Sequence, residues 1–311
     1  MPSRKPWIAA FVGFIRAGQA KSRAQRALLK LTGRRHDGVE GSAPRAIPRR
    51  IWIYWDQGEA AAPPLVRTCI ASWRTQNPGW ELRVLDRDSA PALARLPMAP
   101  GDIAVQAYAD LLRLRLLRDS GGVWVDATTF CLRPLDHWLP VLAQGGFFAF
   151  TWTPADRWFI WPNVPRRITN WFLASEPGGT VVTAWEARSL LYWQDRQRAH
   201  VYYWPHLLWD FMALTERRFG RAARAVPRIG CFGPHLVHDH VQTGRDPAVV
   251  RAMLASGAVP LQKLRWDWSG TALARAQEVL PGLAAAAGAD PFGDMTGKSP
   301  TVSQTPRPEP A

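Results

Sequence analysis

Short apolar runs divide the first half of the chain into four predicted strands. In the first run, Ile51, Ile53 and Trp55 alternate with less apolar neighbours, which is the two-residue period of a strand with two different faces. This run ends at Gly58. The other three predicted strands are ELRVLD (81–86), VWVDA (123–127) and GGFFAFTW (145–152).

Predicted helices separate the first three strands. The stretch 63–80 begins with two prolines and ends in Asn-Pro-Gly, and the stretch 103–120 is a strong helix that the pair Gly121 and Gly122 stops. Strand, helix, strand, helix and strand in succession predict an α/β fold with a single Rossmann-like, mostly parallel sheet flanked by helices. From residue 155 onward the pattern becomes mostly helical, so we expect a helical C-terminal half.

The composition permits a large core and places the positive charge at one end. The chain has 311 residues, of which 47% are hydrophobic, enough for one large domain or two small ones. The net charge is +14, but the first 50 residues alone carry twelve Lys and Arg against Asp37 and Glu40. Because the remainder is nearly neutral and no recognition motif accompanies the basic residues, nucleic acid is not an expected partner. The cysteines Cys69, Cys131 and Cys231 are widely spaced, which suggests no disulfide framework and indicates a reducing compartment.

We predict three segments: a basic arm at 1–45, a domain at 46–290 and a disordered tail at 291–311 that is rich in Pro, Ser and Thr. The apolar stretch of the arm is shorter than a membrane span, which needs roughly 20 residues. The apolar residues that share one side of its helical wheel are Trp7, Phe11, Phe14 and Ile15. This pattern suits a helix on the anionic inner face of a membrane, with the protein in the cytoplasm. A disordered basic leader fits equally well.

Charged residues gather around the third predicted strand. Asp110 and Arg113 are three residues apart on one helix face. The glycine pair returns the chain into the strand before Asp126, so the three side chains can converge beside strand ends, where ligands of such sheets bind. Two carboxylates and a guanidinium suit a nucleoside diphosphate, with Arg clamping phosphate oxygens. An Asp–Arg pair within the helix and a carboxylate that caps a turn would explain the same spacing.

The amino-acid sequence of this region resembles that of a known family. ADLLRLRLLRDSGGVWVDATTF (109–130) resembles the core of the family 32-like glycosyltransferases with a sugar-binding DXD motif, among them yeast-type mannosyltransferases and large clostridial glucosylating toxins. It is most similar to the bacterial capsular polysaccharide synthesis branch. IPRRIWIYWDQG (47–58) resembles the first strand of that group, and TNWFLASEPGG (169–179) resembles its downstream Asn-containing helix.

The resemblance implies a GT-A fold and a retaining sugar transfer from a nucleotide sugar to a glycan or lipid-linked glycan, in the synthesis of a surface polysaccharide. By matched position, Trp55 would stack on the base, Asp110 would bind the ribose or donor sugar, Arg113 would contact the donor sugar or phosphate, Asp126 would be the first carboxylate of the DXD motif, and Asn170 would face the donor or acceptor sugar.

This sequence departs from the motif at its second acidic position, which is Thr128. A threonine offers only a neutral oxygen to a metal. The resemblance still implies Mn²⁺ or Mg²⁺, with Asp126 and Thr128 as ligands and a late histidine, His238, as a third. Lys263 is expected to add positive charge near the diphosphate.

A second reading of the function starts from a run of metal-ligating residue types. His235, His238, Asp239 and His240 fall within six positions, and imidazole and carboxylate so concentrated can bind a metal. This would make the protein a metal-dependent hydrolase, but it leaves Trp55 and the charged residues around Asp126 without a role. A solvated loop is the third explanation of the run.

Overall fold

The computed structural model describes residues 4–32, 45–153 and 167–287, so the predicted tail at 291–311 lies outside the described residues. The chain divides into two compact units, Met1–Pro44 and Arg45–Ala311. In its described part, the first unit is one helix, α1 (Arg4–Thr32). Within the described ranges, every helix is too short or too polar to cross a membrane.

The second unit alternates strands and helices and becomes mostly helical after the fifth strand. Its strands are β1 (Arg50–Tyr54), β2 (Glu81–Leu85), β3 (Gly122–Val125), β4 (Thr129–Cys131), β5 (Phe147–Ala149), β6 (Phe172–Ser175) and β7 (Leu261–Lys263). Its helices are α2 (Pro64–Gln76), α3 (Ala90–Leu93), α4 (Val105–Ser120), α5 (Leu139–Leu142), α6 (Thr180–Trp193), α7 (Trp204–Thr215), α8 (Arg217–Ala225), α9 (Leu236–Thr243), α10 (Pro247–Ala255), α11 (Gly270–Gln277) and α12 (Leu280–Ala287). Short 3-10 turns lie at Leu135–His137 and Gly233–His235.

Five strands form the central sheet in the order β2-β1-β3-β6-β5. Strand β1 pairs in parallel with β2 and β3, whereas β6 runs antiparallel to both β3 and β5. Four of the five strands therefore run in one direction, and the predicted α/β fold with a mostly parallel sheet is confirmed. Strands β4 and β7 form a separate antiparallel pair.

Both faces of the central sheet are covered. Trp52 and its neighbour Trp124 on β3 face a core that α4 and α6 complete. The alternate residues Ile51 and Ile53 face a second core that contains Trp73 of α2. Because both faces are buried, the inner strands are apolar almost without interruption.

The glycine pair after α4 makes the close approach of β3 to β1 possible. Gly121 and Gly122 have φ angles of 63° and 100°, a region that other residues adopt only at a cost. A Cβ on Gly122 would lie 2.5 Å from the carbonyl oxygen of Arg50. The pair thus turns the chain from the helix directly into the central strand.

One expected helix is wrong. In the segment 169–179, Phe172–Ser175 forms strand β6, and the next helix begins only at Thr180. Strand β6 is buried on both faces and pairs with β3 on one side and β5 on the other. These four residues complete the sheet by pairing with the edges of β3 and β5. Pairing with distant strands thus outweighs the helical preference that was expected from the local sequence.

Candidate functional site

Asp126 follows β3 directly and lies at the rim of the sheet. Its N–H donates to the carbonyl oxygen of Trp171 at 2.9 Å, and its carbonyl oxygen accepts from the N–H of Thr129 at 2.9 Å. The backbone therefore holds this residue in a fixed turn. Its side chain is 29% exposed, so the carboxylate can meet a ligand.

Helix α4 brings Asp110 and Arg113 to this carboxylate. Arg113 Nη2 lies 3.1 Å from Asp110 Oδ1 and 3.5 Å from Asp126 Oδ1. Both α4 side chains are buried, with residue exposures of 8% and 5%. The helix residues and the strand-end residue that the sequence singled out are thus one ionic group.

Asn170 joins the same group from the segment before β6. Its Nδ2 donates to Asp110 Oδ1 at 2.7 Å, and its backbone carbonyl oxygen accepts from Arg113 Nη1. We call Asp110, Arg113, Asp126 and Asn170 the rim group. Asn170 reaches the rim group although the segment 169–179 contains strand β6 and not the expected helix.

Trp124 supports the rim group and was not singled out in the sequence. Its Nε1 donates to Asp126 Oδ1 at 3.1 Å, and the Arg113 guanidinium carbon lies 5.0 Å from the centre of its ring. The predicted strand VWVDA could have indicated this residue. Side chains two residues apart on a strand point to the same face, so Trp124 is expected beside Asp126.

Burial changes the acidity of Asp110. Burial raises the pKa of its carboxyl to about 7, while the positive charge of Arg113 opposes this shift and the negative charge of Asp126 adds to it. Burial thus favours the protonated form of this carboxyl more than is usual for an aspartate. In either state it can bind a hydroxyl group, as an acceptor when ionised and also as a donor when protonated.

Lys263 approaches Asp126 from the opposite side. Its Nζ donates to Thr128 Oγ1 at 2.5 Å and lies 3.3 Å from Asp126 Oδ2. The pairing of β4 with β7 places it there, since Thr129 and Lys263 are register partners and the Leu264 N–H donates to the Thr128 carbonyl oxygen at 2.8 Å. The structure thus brings Lys263 and Thr128 to the rim group.

Trp55 follows β1 at the same edge of the sheet. Its ring packs edge-on against Trp266, with ring centres 5.8 Å apart. Its Nε1 is buried and has no acceptor among the residues that the structure describes. Because Trp266 follows Lys263 by three residues, one segment reaches both Trp55 and Asp126. Asp86, which follows β2, accepts hydrogen bonds from the backbone N–H and the hydroxyl of Ser89, so its carboxylate caps its own turn.

The run at 235–240 falls into two pairs, of which the first is His235 and His238, with ring centres 6.1 Å apart. His235 Nδ1 lies 2.9 Å from the Cys231 carbonyl oxygen, and burial lowers its pKa to about 3. Burial also lowers the pKa of His238, to about 4, helped by the positive charges of Arg265 and Lys263.

The last two residues of the run have partners on other elements. Asp239 is paired with Arg245 at 2.8 Å, and His240 meets the carbonyl oxygens of Arg245 and Arg275 with its two ring nitrogens. Within the described ranges, no three His, Cys, Asp or Glu side chains form a group that could hold a metal ion. The hydrolase reading, which needs such a group, is not favoured.

The implied divalent cation does not fit the side chains at the DXD-like motif. Such a cation prefers several oxygen ligands, carboxylates above all. Here Asp126 supplies the only carboxylate of the proposed ligand set, Thr128 is neutral, and both oxygens of Asp126 already face positive side chains. The cation is therefore a prediction that rests on the resemblance alone.

The chain is similar in sequence to known proteins. The family model described as capsular polysaccharide synthesis protein matches residues 21–278. The O-glycosyltransferase braB of Annulohypoxylon truncatum is 31% identical over 108 residues, which cover 30% of this chain and 26% of that protein. The initiation-specific alpha-1,6-mannosyltransferase of Saccharomyces cerevisiae is 31% identical over 104 residues, which cover 30% of this chain and 22% of that protein.

These relatives are much longer than the segments they share with this chain. Among solved structures, the apo-form glycosyltransferase GlyE of Streptococcus pneumoniae TIGR4 aligns with a TM-score of 0.42 at 10% identity, over 78% of this chain and 63% of that one. A likeness this distant carries no argument about function. The family match and the geometry of the rim group are therefore the observations that bear on the function.

Proposed function

Because this chain belongs to the family of capsular polysaccharide synthesis proteins, we propose that it is a glycosyltransferase. In this proposal it moves a hexose from a nucleotide sugar to a glycan or lipid-linked glycan acceptor during synthesis of a surface polysaccharide. The reaction class is supported by two relatives whose names describe glycosyl transfer. Each is 31% identical to this chain over 30% of its length.

The rim group is the single observation that carries the proposal. Two carboxyl groups, a guanidinium and an amide converge beside the carboxyl end of β3, where α/β sheets bind their ligands. Carboxyl and amide groups suit the hydroxyls of ribose and hexose, and the guanidinium suits phosphate. The residues that we assign to the nucleotide sugar are Trp55, Asp110, Arg113, Asp126, Thr128, Asn170 and Lys263.

The reaction needs positive charge near the leaving group. The bond between C1 of the donor sugar and the diphosphate oxygen breaks, and its electron pair stays on the diphosphate. An oxygen of the acceptor hydroxyl forms the new bond to C1, and the hydroxyl proton is lost. Because negative charge grows on the diphosphate in the transition state, a preorganised cation lowers the barrier. Arg113 is such a group, since Asp110, Asp126 and the Asn170 carbonyl hold its guanidinium in place.

Asp126→Asn tests the assignment. The substitution keeps the side-chain volume but removes the charge that orients Arg113, so we expect turnover to fall by about 100-fold or more, as when one preorganised electrostatic group is lost. A panel of UDP- and GDP-linked hexoses, each with and without Mn²⁺, identifies the donor by release of free nucleotide. Proton NMR of the first product tests retention at the anomeric carbon.

Asp119→Asn is the matched control, because Asp119 pairs with Arg118 and its side chain is 43% exposed. Both variants should melt at nearly the wild-type temperature. Full activity of well-folded Asp126→Asn would remove this residue from the site, and no nucleotide release by the wild type with any donor would contradict the proposed activity.

We also propose that helix α1 binds an anionic membrane surface. Its cations with described side chains are Arg16, Lys21, Arg23, Arg26 and Lys30, all exposed, and the helix contains no acidic residue. Phe14 and Leu31 are exposed to 76% and 85%. Apolar side chains among cations are the pattern of a helix that lies in the lipid headgroup region. The side chains of Trp7 and Phe11, part of the expected apolar stripe, lie outside the described residues.

A further inference from the structure

An ammonium group lies where the resemblance places a divalent cation. Lys263 Nζ is between Thr128 Oγ1, at 2.5 Å, and Asp126 Oδ2, at 3.3 Å. These are the two oxygens among the three ligands that the resemblance assigns to a metal at the DXD-like motif. Backbone pairing of β4 with β7 fixes the origin of the lysine side chain, so its reach to both oxygens follows from the fold.

The charges around Asp126 favour the singly charged ammonium of Lys263 at this position over a divalent ion. Asp126 Oδ1 accepts from Trp124 Nε1 at 3.1 Å and lies 3.5 Å from Arg113 Nη2, while Oδ2 faces Lys263. One carboxylate is thus shared by two cations. A divalent ion would meet both positive side chains at close range, and the neutral Thr128 gives it no second anionic ligand.

The same arrangement suits a diphosphate. A lysine ammonium has three N–H donors, of which Thr128 and Asp126 face two. The side chain of Lys263 is 20% exposed, so a ligand can reach the remaining donor. The guanidinium of Arg113 lies beside the other oxygen of the same carboxylate, so there is one positive charge on each side of Asp126.

We propose that Lys263 performs the role of the metal in this protein: it binds the nucleoside diphosphate and stabilises it as it leaves, and transfer requires no divalent cation. The proposal rests on the proposed glycosyltransferase function. When the C1–oxygen bond breaks, the electron pair remains on the diphosphate, and the ammonium of Lys263 neutralises part of that charge without giving up a proton. The acceptor oxygen bonds to C1, and its proton passes to solvent.

The first experiment needs only the wild-type protein. UDP and GDP are titrated calorimetrically in EDTA and in Mn²⁺, and donor turnover is measured under the same two conditions. We expect the same affinity and the same turnover in both. If EDTA abolishes diphosphate binding and turnover while Mn²⁺ restores them, the proposal is wrong and the lysine merely lies in a metal site.

The second experiment removes the charge of Lys263. In Lys263→Met the loss of one charge-assisted hydrogen bond should weaken UDP or GDP binding by about 10- to 100-fold. The affinity for the uncharged nucleosides uridine and guanosine should not change, and Lys263→Arg should recover part of the loss. Lys30→Met, at an exposed lysine of α1, is the matched control and should bind like the wild type.

Two outcomes separate this inference from the proposed function. A wild type that binds a nucleoside diphosphate in EDTA through Lys263 but releases no nucleotide from any donor supports the diphosphate site and contradicts the activity. A wild type that transfers sugar while Lys263→Met keeps full diphosphate affinity supports the activity and overturns the role of Lys263.

Discussion

At residue 110, a buried carboxyl group shares one oxygen between an amide and a guanidinium. Asp110 Oδ1 accepts from Asn170 Nδ2 at 2.7 Å and lies 3.1 Å from Arg113 Nη2. Burial nevertheless raises its pKa to about 7. Since the pKa of an aspartate in an unfolded chain is about 3.9, folding is coupled to proton binding at this residue.

The sign of this coupling gives a prediction for Asp110→Asn. Between about pH 4 and pH 7 the folded protein holds a proton on Asp110 that the unfolded chain has lost. The stabilisation from this group is complete below pH 4 and disappears as the pH rises toward 7. The unfolding free energy of the wild type should therefore fall, relative to that of Asp110→Asn, as the pH rises through this range. Urea titrations of both proteins at several pH values measure the difference; parallel curves would mean that Asp110 ionises normally.

Trp55 offers a second prediction at the residue scale. If its indole stacks on the base, Trp55→Ala loses a contact worth roughly 1–3 kcal/mol, and nucleotide affinity should fall by about ten- to a hundredfold. Trp55→Phe should recover part of the loss. Titration of UDP and GDP, with melting curves beside it, makes the measurement.

The control is Trp80→Ala, because Trp80 is a partly buried tryptophan whose Nε1 donates to Asp136 rather than lying near the rim group. It should lower the melting temperature at most, without affecting nucleotide affinity. If folded Trp55→Ala binds nucleotides like the wild type, Trp55 serves only to pack against Trp266.

At the scale of elements, the link between α4 and β3 decides whether the site forms. Gly121 and Gly122 carry the chain from the helix that holds Asp110 and Arg113 into the strand that ends before Asp126. Gly122 has a φ angle of 100°, and an added Cβ would lie 2.5 Å from the Arg50 carbonyl oxygen of β1. A side chain here must strain the backbone and push the two central strands apart.

We therefore expect Gly122→Ala to be strongly destabilising. The positive φ alone costs about 1–3 kcal/mol in a non-glycine residue, and the clash with β1 adds to it. Chemical denaturation measures the loss. Gly145→Ala is the matched control, since an added Cβ there has no neighbour within 4 Å among the described residues. Equal stability of the two variants would mean that the sheet adapts to the methyl group without cost.

At the scale of the whole molecule, the two units differ in their charge. The first 50 residues hold twelve Lys and Arg, and α1 carries exposed cations along its length. The rim group and Lys263 combine two carboxyl groups with two cations. Attraction to an anionic surface is thus expected from the arm, whereas the charges of the site are nearly balanced.

Removing residues 1–44 should abolish membrane binding and leave nucleotide binding intact. Each Lys or Arg near an anionic surface contributes about 1 kcal/mol, and this attraction weakens with salt. Cosedimentation with vesicles containing anionic lipid, at low and high salt, compares the full chain with the truncated one. Neutral vesicles are the control. Sedimentation of the truncated protein with anionic vesicles would place the binding surface elsewhere.

Local signals in the sequence determined the elements that carry most of the site. The alternation in β1, the periodic helix α4 and the glycine pair before β3 each act within a few residues, so their patterns are legible without a fold. Asp110 and Arg113 are neighbours on one helix, and Asp126 follows a strand end that the helix must reach. The convergence of these three residues was therefore predictable.

Tertiary structure alone decided which distant segments complete the site. Asn170 lies just before β6. The segment was expected to be helical, but Phe172–Ser175 forms a strand because it pairs with β3 on one side and with β5 on the other. Lys263 reaches Asp126 because β7 pairs with β4, more than 130 residues earlier in the chain. His235 and His238 stay neighbours, with ring centres 6.1 Å apart, whereas Asp239 and His240 face Arg245 and the carbonyl oxygens of Arg245 and Arg275. Pairing register and packing between remote segments depend on the whole fold, and no local pattern of hydrophobic and polar residues records them.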